Sequence, residues 1–214
     1  MKKFLKNIIK NIYCFIIKHI KFFRPLYETG FNHSQFQIIR YRFFYQKILR
    51  KNSNVPWPVH HTTYVSGVNN IKIGVNVNFG DGRNTYIQAI DKIRFGDYSV
   101  AAAYTKFISS SHSLYDIRKH DHKGGIKIGR YCWIGIGATI LPGVVLGDHV
   151  QVAAGSVVTK SFPEGYCVIA GNPAKVVKYL DKSKVVEYKQ PYEYVGYKRK
   201  DELTDKDTYY NDEQ

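Results

Sequence analysis

From Ile128 onward the chain repeats every six residues, and few folds accept that period. Written in sixes, the segment reads IGRYCW, IGIGAT, ILPGVV, LGDHVQ, VAAGSV and VTKSFP. Its first position is Ile128, Ile134, Ile140, Leu146, Val152 and Val158, aliphatic every time. The period matches neither an α-helix nor the plain alternation of a strand. It suits a solenoid: each six makes one short strand and a corner, three sixes close a triangular coil, and coils stack by parallel backbone hydrogen bonds. The first residue then points inward, and so does the fifth. That fifth position is Cys132, Ala138, Val144, Val150 and Ser156, small or slender as a narrow interior requires. Gly129, Gly135 and Gly147 stand second, beside the expected corner, where freedom to take unusual φ/ψ is useful. The period alone leaves the hand of the coil open.

Upstream, the same grammar appears less regularly in Ile71-Lys72-Ile73-Gly74 and in Ile93-Arg94-Phe95-Gly96-Asp97, and it is lost between Phe107 and Ile126. Residues 113–125, rich in His, Asp, Lys and Gly, read as a loop thrown out of the coil, and loops held by a rigid scaffold are where sites tend to lie. The repeat ends after Asn172-Pro173. The expected organisation is an extension over 1–54, a repeat body over 55–180 with the extruded loop 113–125, and a polar, tyrosine-rich tail over 181–214 without a functional reading.

The formal net charge of +15 is unevenly spread, because residues 1–51 hold 12 basic side chains and a single acid, Glu28. In residues 2–24, Leu5, Ile8, Ile9, Ile12, Ile16 and Ile20 recur at helical spacing, with Lys3, Lys6, Lys10, Lys21 and Arg24 on the other side. This predicts a basic amphipathic helix. A second apolar and basic stretch, 35–50, is expected to be helical until Pro56 and Pro58 end it. Within residues 2–24 the longest uncharged stretch, 11–17, is far short of the ~20 residues of a spanning helix. Lys10 and Lys18 also interrupt the apolar core that a signal peptide needs. Two readings of the helix stand side by side. One is peripheral attachment of a cytoplasmic protein to an anionic inner leaflet through residues 1–24; the other is packing of Leu5, Ile8, Ile9 and Ile12 on protein. Nucleic acid is not an expected partner, since no nucleic-acid fold accompanies the charge. Cys14, Cys132 and Cys167 have no close-pair spacing, which suggests neither a disulfide framework nor a zinc knuckle and fits a reducing compartment.

Over roughly Trp57–Leu180 these residues resemble the hexapeptide-repeat acyltransferases, in particular the maltose, galactoside and streptogramin O-acetyltransferases and their polysaccharide-modifying relatives. The segments CWIGIGATILPGVVLGDHVQVAAGSVVTKSFPEG and AGNPAKVVK follow that family almost position by position. The resemblance implies an all-β, left-handed parallel β-helix with an N-terminal helical extension, forming a homotrimer with active sites between subunits. It further implies acetyl transfer from acetyl-CoA to a sugar hydroxyl, without a metal, in surface polysaccharide or glycan biosynthesis.

That reaction needs a base for the hydroxyl proton and donors for the oxyanion. His112, in Ser110-Ser111-His112-Ser113, matches the family's catalytic histidine just before its own loop. Many relatives have Asn or Gly where this chain has Ser111; Asp116 is a candidate to orient the imidazole, against its reading as a solvated loop carboxylate. Asn84 precedes Phe95-Gly96-Asp97 by the interval of an acceptor-site asparagine in the galactoside enzymes, although Ala89 and Ile90 replace neighbouring acids there. For coenzyme A, the resemblance assigns Gly135, Ile136, Ala153, Ala154 and Gly155 to the pantetheine arm. Thr159, Lys160, Lys175 and Lys178 fall to the nucleotide end, where ammonium groups meet phosphates. Trp133 either walls the thioester pocket or packs at the trimer interface. Three other readings stay open: N-acetylation of an amino sugar, a zinc hydratase using His112, His120 and His122, and a non-catalytic scaffold.

Overall fold

The computed structural model describes residues 40–210 together with Phe15 and Glu28. The chain divides into two compact units, 1–53 with 190–192, and 54–189 with 193–214. The expected amphipathic helix over 2–24 lies outside the described residues. In the first unit Arg40–Ile48 is helical with π-type winding: the Leu49 N–H donates to the Phe44 carbonyl five residues back, at 2.9 Å. The helix stops at Ile48, eight residues before Pro56, so the prolines do not end it.

The second unit is all-β, with few helices. Its chain visits three sheets in turn. Tyr64–Ser66, Tyr86–Gln88, Lys106–Ile108, Thr139–Ile140 and Val157–Val158 form the first, in that order. Ile71–Ile73, Ile93–Phe95, Ile126–Ile128 and Val145–Leu146 form the second. The third runs Val100–Ala101, Trp133–Ile134, Gln151–Val152 and Cys167–Gly171, and Ala174–Tyr179 closes it as an antiparallel edge. Every other pairing in these sheets is parallel and joins equivalent positions of successive passages. Trp133, for example, lies between Val100 and Gln151.

The register buries the repeat as its chemistry demands. First-position Ile128, Ile134, Ile140, Leu146, Val152 and Val158 and fifth-position Cys132, Ala138, Val144, Val150 and Ser156 are all at most 2% exposed. Toward the first passages the interior turns aromatic, with Phe79 stacked on Phe95 at 3.7 Å and Phe107 edge-on to Phe95 at 5.0 Å. Burying these rings adds to the stabilisation that the buried aliphatic positions supply.

One expectation about the corners needs correction. The second-position glycines do not take positive φ. Their hydrogen is required because successive passages touch backbone to backbone: a Cβ on Gly129 would lie 2.5 Å from the Gly147 carbonyl carbon, and one on Gly135 would lie 2.6 Å from the Ala154 nitrogen. The left-handed conformation falls at the fourth position instead, at Tyr131, Gly137, Gly143, His149 and Gly155, with φ from 53° to 78°. Non-glycine residues there are strained, and stacking compensates. Tyr98, Tyr131, His149 and Tyr166, all at positive φ, form one column with centroid spacings of 5.1, 5.0 and 4.9 Å.

The tail returns onto this body. Glu187 meets the Nε2 of buried His149 at 3.0 Å, the Tyr131 hydroxyl donates to the Tyr188 carbonyl, and the Tyr194 N–H donates to the Asn76 side chain. Asp148 ties two passages together, accepting from the Arg130 backbone N–H and from two guanidinium nitrogens of Arg130.

Candidate active site

The extruded loop leaves the body at the corner between the first and second sheets. Its two legs pair as a short antiparallel ribbon, Ser111–His112 against His120–Asp121, with His112 directly opposite His120. The exposed His112 ring stacks on that of His120 at 4.7 Å. A run of serines fastens the base of the ribbon. Ser110 Oγ donates to the Asp121 carbonyl at 3.1 Å, and buried Ser109 accepts from the Asp91 N–H at 2.9 Å.

Asp116 does not orient His112. Its carboxylate is engaged by the Arg118 guanidinium, at 2.9 and 3.1 Å, which holds it below the usual carboxylate range. Another carboxylate, overlooked in the sequence, does orient a histidine. Asp91 Oδ1 lies 2.5 Å from His122 Nδ1, and its buried Oδ2 has no hydrogen-bond partner. His122 is thereby drawn to Asp91. Among the described residues, no three His, Cys, Asp or Glu side chains converge as metal ligands.

Asn84 occupies an exposed corner with φ 54°, its N–H donating to Thr62 Oγ1 at 3.0 Å. In the same turn, burial pushes the Asp81 carboxyl above its usual range, against the Asn78 amide that donates to it.

On the outer face of the third sheet, Trp133, Gly135, Ile136, Ala153 and Ala154 line one open cavity of about 330 Å³ with Ala102, Gln151 and Val168. Trp133 and Ile136 are about half exposed there, and the Gly155 N–H donates to the Ile136 carbonyl at 2.8 Å. A neighbouring cavity of about 630 Å³ shares Trp133 and Gln151 and includes Lys178, Lys184, Tyr131 and His149. His112, Asn84, Thr159, Lys160 and Lys175 line neither. Thr159, Lys160 and Lys175 are exposed, with the Lys160 ammonium 5.7 Å from the Phe162 ring centroid.

Cys132 lies beneath Trp133, and burial pushes its thiol up to about 12; burial also raises Cys167. The thiolate is the reactive form, so a Cys14→Ser variant should react with a disulfide reagent at pH 8 only as it unfolds. Two thiols labelled rapidly in the native state would contradict this burial.

Residues 125–160 match the family model of the bacterial transferase hexapeptide, six repeats. A Staphylococcus aureus (strain Mu50 / ATCC 700699) protein named as an acetyltransferase is 34% identical over 115 residues, 52% of this chain and 56% of that one. From Escherichia coli (strain K12), WbbJ, named as a lipopolysaccharide biosynthesis O-acetyl transferase, is 37% identical over 98 residues, 45% of this chain and 48% of that one. The chain thus spans about half the length of the curated relatives it matches. A solved galactoside acetyltransferase in complex with coenzyme A aligns with TM-score 0.56 at 24% identity, covering 76% of this chain and 86% of that one. In its repeat this chain is similar to bacterial hexapeptide transferases, in sequence to proteins named as acetyltransferases over about half its length, and in fold to the galactoside enzyme.

Proposed function

We propose that this protein is an acetyl-CoA-dependent O-acetyltransferase that acetylates a sugar hydroxyl in surface glycan biosynthesis. The body is read as a left-handed parallel β-helix working as a homotrimer, with His112 of one subunit facing the donor groove of the next. The observation that carries this reading is the cavity on the third sheet. The small residues Gly135, Ala153 and Ala154 in its lining leave room for an extended pantetheine arm beside Trp133, and relatives named as acetyltransferases support the choice of donor.

In the reaction, His112 takes the proton as the acceptor oxygen attacks the thioester carbon. The tetrahedral oxyanion collapses, the C–S bond breaks, and the proton passes to the departing sulfur to give coenzyme A thiol. Asn84 contributes to the acceptor side, and Gly155 to the pantetheine groove. Thr159, Lys160, Lys175 and Lys178 hold the nucleotide end, the lysines meeting its phosphates. Trp133 and Ile136 also offer the outward apolar surface a trimer would cover. No helix among the described residues is long and apolar enough to cross a membrane. Residues 1–24 would attach the protein peripherally to an anionic leaflet, and liposome sedimentation with and without them tests this.

The function itself is tested by thiol release from acetyl-CoA across a panel of sugars, polyols and amino sugars. Acceptor-dependent release with a neutral sugar is the expected result. Release with amino sugars alone would shift the activity to N-acetylation, and none with any acceptor would overturn the enzyme reading.

A further inference from the structure

Beside the extruded loop, Asp91 and His122 form a titratable pair outside the assigned residues. The two are 31 residues apart in sequence, and the loop's return leg brings them together. Three observations distinguish the pair from a casual surface contact. Asp91 is held by its own backbone through buried Ser109. Its second oxygen is buried without a hydrogen-bond partner. The His122 side chain remains 64% exposed while its Nδ1 faces the carboxylate.

The chemistry follows from the tautomer. An ionised carboxylate can only accept, so the Nδ1 of neutral His122 carries the proton and donates it to Asp91. Nε2 then presents a lone pair to solvent, a fixed hydrogen-bond acceptor. His112 and His120 share one face of the ribbon, as their stacked rings show. His122 follows two residues beyond His120, just past the end of the pairing at Asp121. Two residues span at most about 7 Å and paired strands lie about 5 Å apart, so His122 stands within about 12 Å of His112 between Cα atoms. Side chains reaching from both positions bring the two imidazoles within range of one sugar ring.

We propose that His122 belongs to the acceptor site, where its Nε2 receives a hydrogen bond from a second hydroxyl of the saccharide and so selects which hydroxyl reaches His112. The inference rests on the acetyl-transfer reading above and narrows its substrate class to acceptors with at least two suitably spaced hydroxyls. Asp91 is a positioning residue that acts through His122.

The test uses methyl glycosides and their monodeoxy counterparts as acceptors, with saturating acetyl-CoA and release of coenzyme A as the readout. Wild-type enzyme should prefer one parent glycoside over the analogue lacking the recognised hydroxyl. His122→Ala should lose about 3- to 10-fold in kcat/KM toward the parent, the worth of one solvent-exposed hydrogen bond, and be unchanged toward that analogue. Asp91→Ala should show a smaller loss of the same pattern, with the KM for acetyl-CoA and the melting temperature of both variants near wild type. A merely structural role would lower the melting temperature and depress every acceptor alike. If His122→Ala discriminates parent from analogue as wild type does, the inference is overturned. If the wild-type enzyme releases no coenzyme A with any acceptor, it is the acetyl-transfer reading that fails.

Discussion

His112→Ala is expected to lower kcat by roughly 10²- to 10⁴-fold, the usual worth of a positioned general base, while acetyl-CoA still binds with wild-type affinity. The separation follows from geometry. His112 stands on an exposed ribbon and is absent from the lining of the cavity that contains Trp133, Gly135 and Ala153, so truncating it removes nothing from the groove of its own chain. The fold should also survive, because the ring's recorded aromatic partner is His120, itself exposed. Pre-steady-state and steady-state release of coenzyme A, paired with calorimetric binding of acetyl-CoA, check both halves. A variant with wild-type kcat would remove His112 from the mechanism, and one that no longer binds the donor would make it part of the groove.

Phe107→Ala should be the most damaging single change to the body, costing about 3–5 kcal/mol. Phe107 is fully buried at the first-sheet strand that leads into the extruded loop, and it packs edge-on against Phe95 at 5.0 Å and Phe79 at 6.4 Å. Removing the ring leaves a void that the stacked Phe79–Phe95 pair cannot fill without giving up its own 3.7 Å contact. Urea unfolding followed by far-UV circular dichroism should show the midpoint falling sharply. A loss below about 1 kcal/mol would mean that the interior collapses around the gap more freely than a close-packed core allows.

The inward positions of the repeat were legible because period and burial are the same fact. A residue recurring every sixth place returns to the same position on the next of the three sheets, and Ile134 or Val152 needs no knowledge of its neighbours to be placed. What the glycines do was less legible. Gly129 and Gly147 were expected to supply unusual dihedrals, but the constraint on them is contact with the next passage, which no single passage reveals. The true left-handed corner is occupied by Tyr131, His149 and three glycines, a mixture that hides the rule from composition. Asp91–His122 and Tyr194–Asn76 were hidden for another reason, since they join residues 31 and 118 positions apart through a loop and a tail that carry no period. At the site, the loop's location was readable from the break in rhythm, and the partner of each charged side chain within it was not.

The insertion point of the loop has an evolutionary consequence. Lys106–Ile108 and Ile126–Ile128 each keep register with the passages on either side, Lys106 between Tyr86 and Thr139, and Lys127 between Arg94 and Val145. The scaffold therefore does not sense how many residues separate these strands. Residues 111–124, none of them buried, are free to drift in length and composition without any compensating change in the core, so the part of the molecule proposed to choose the acceptor is also the part whose rewriting is cheapest. New specificity in such a chain can arise by splicing at one corner, with the cavity on the third sheet left untouched.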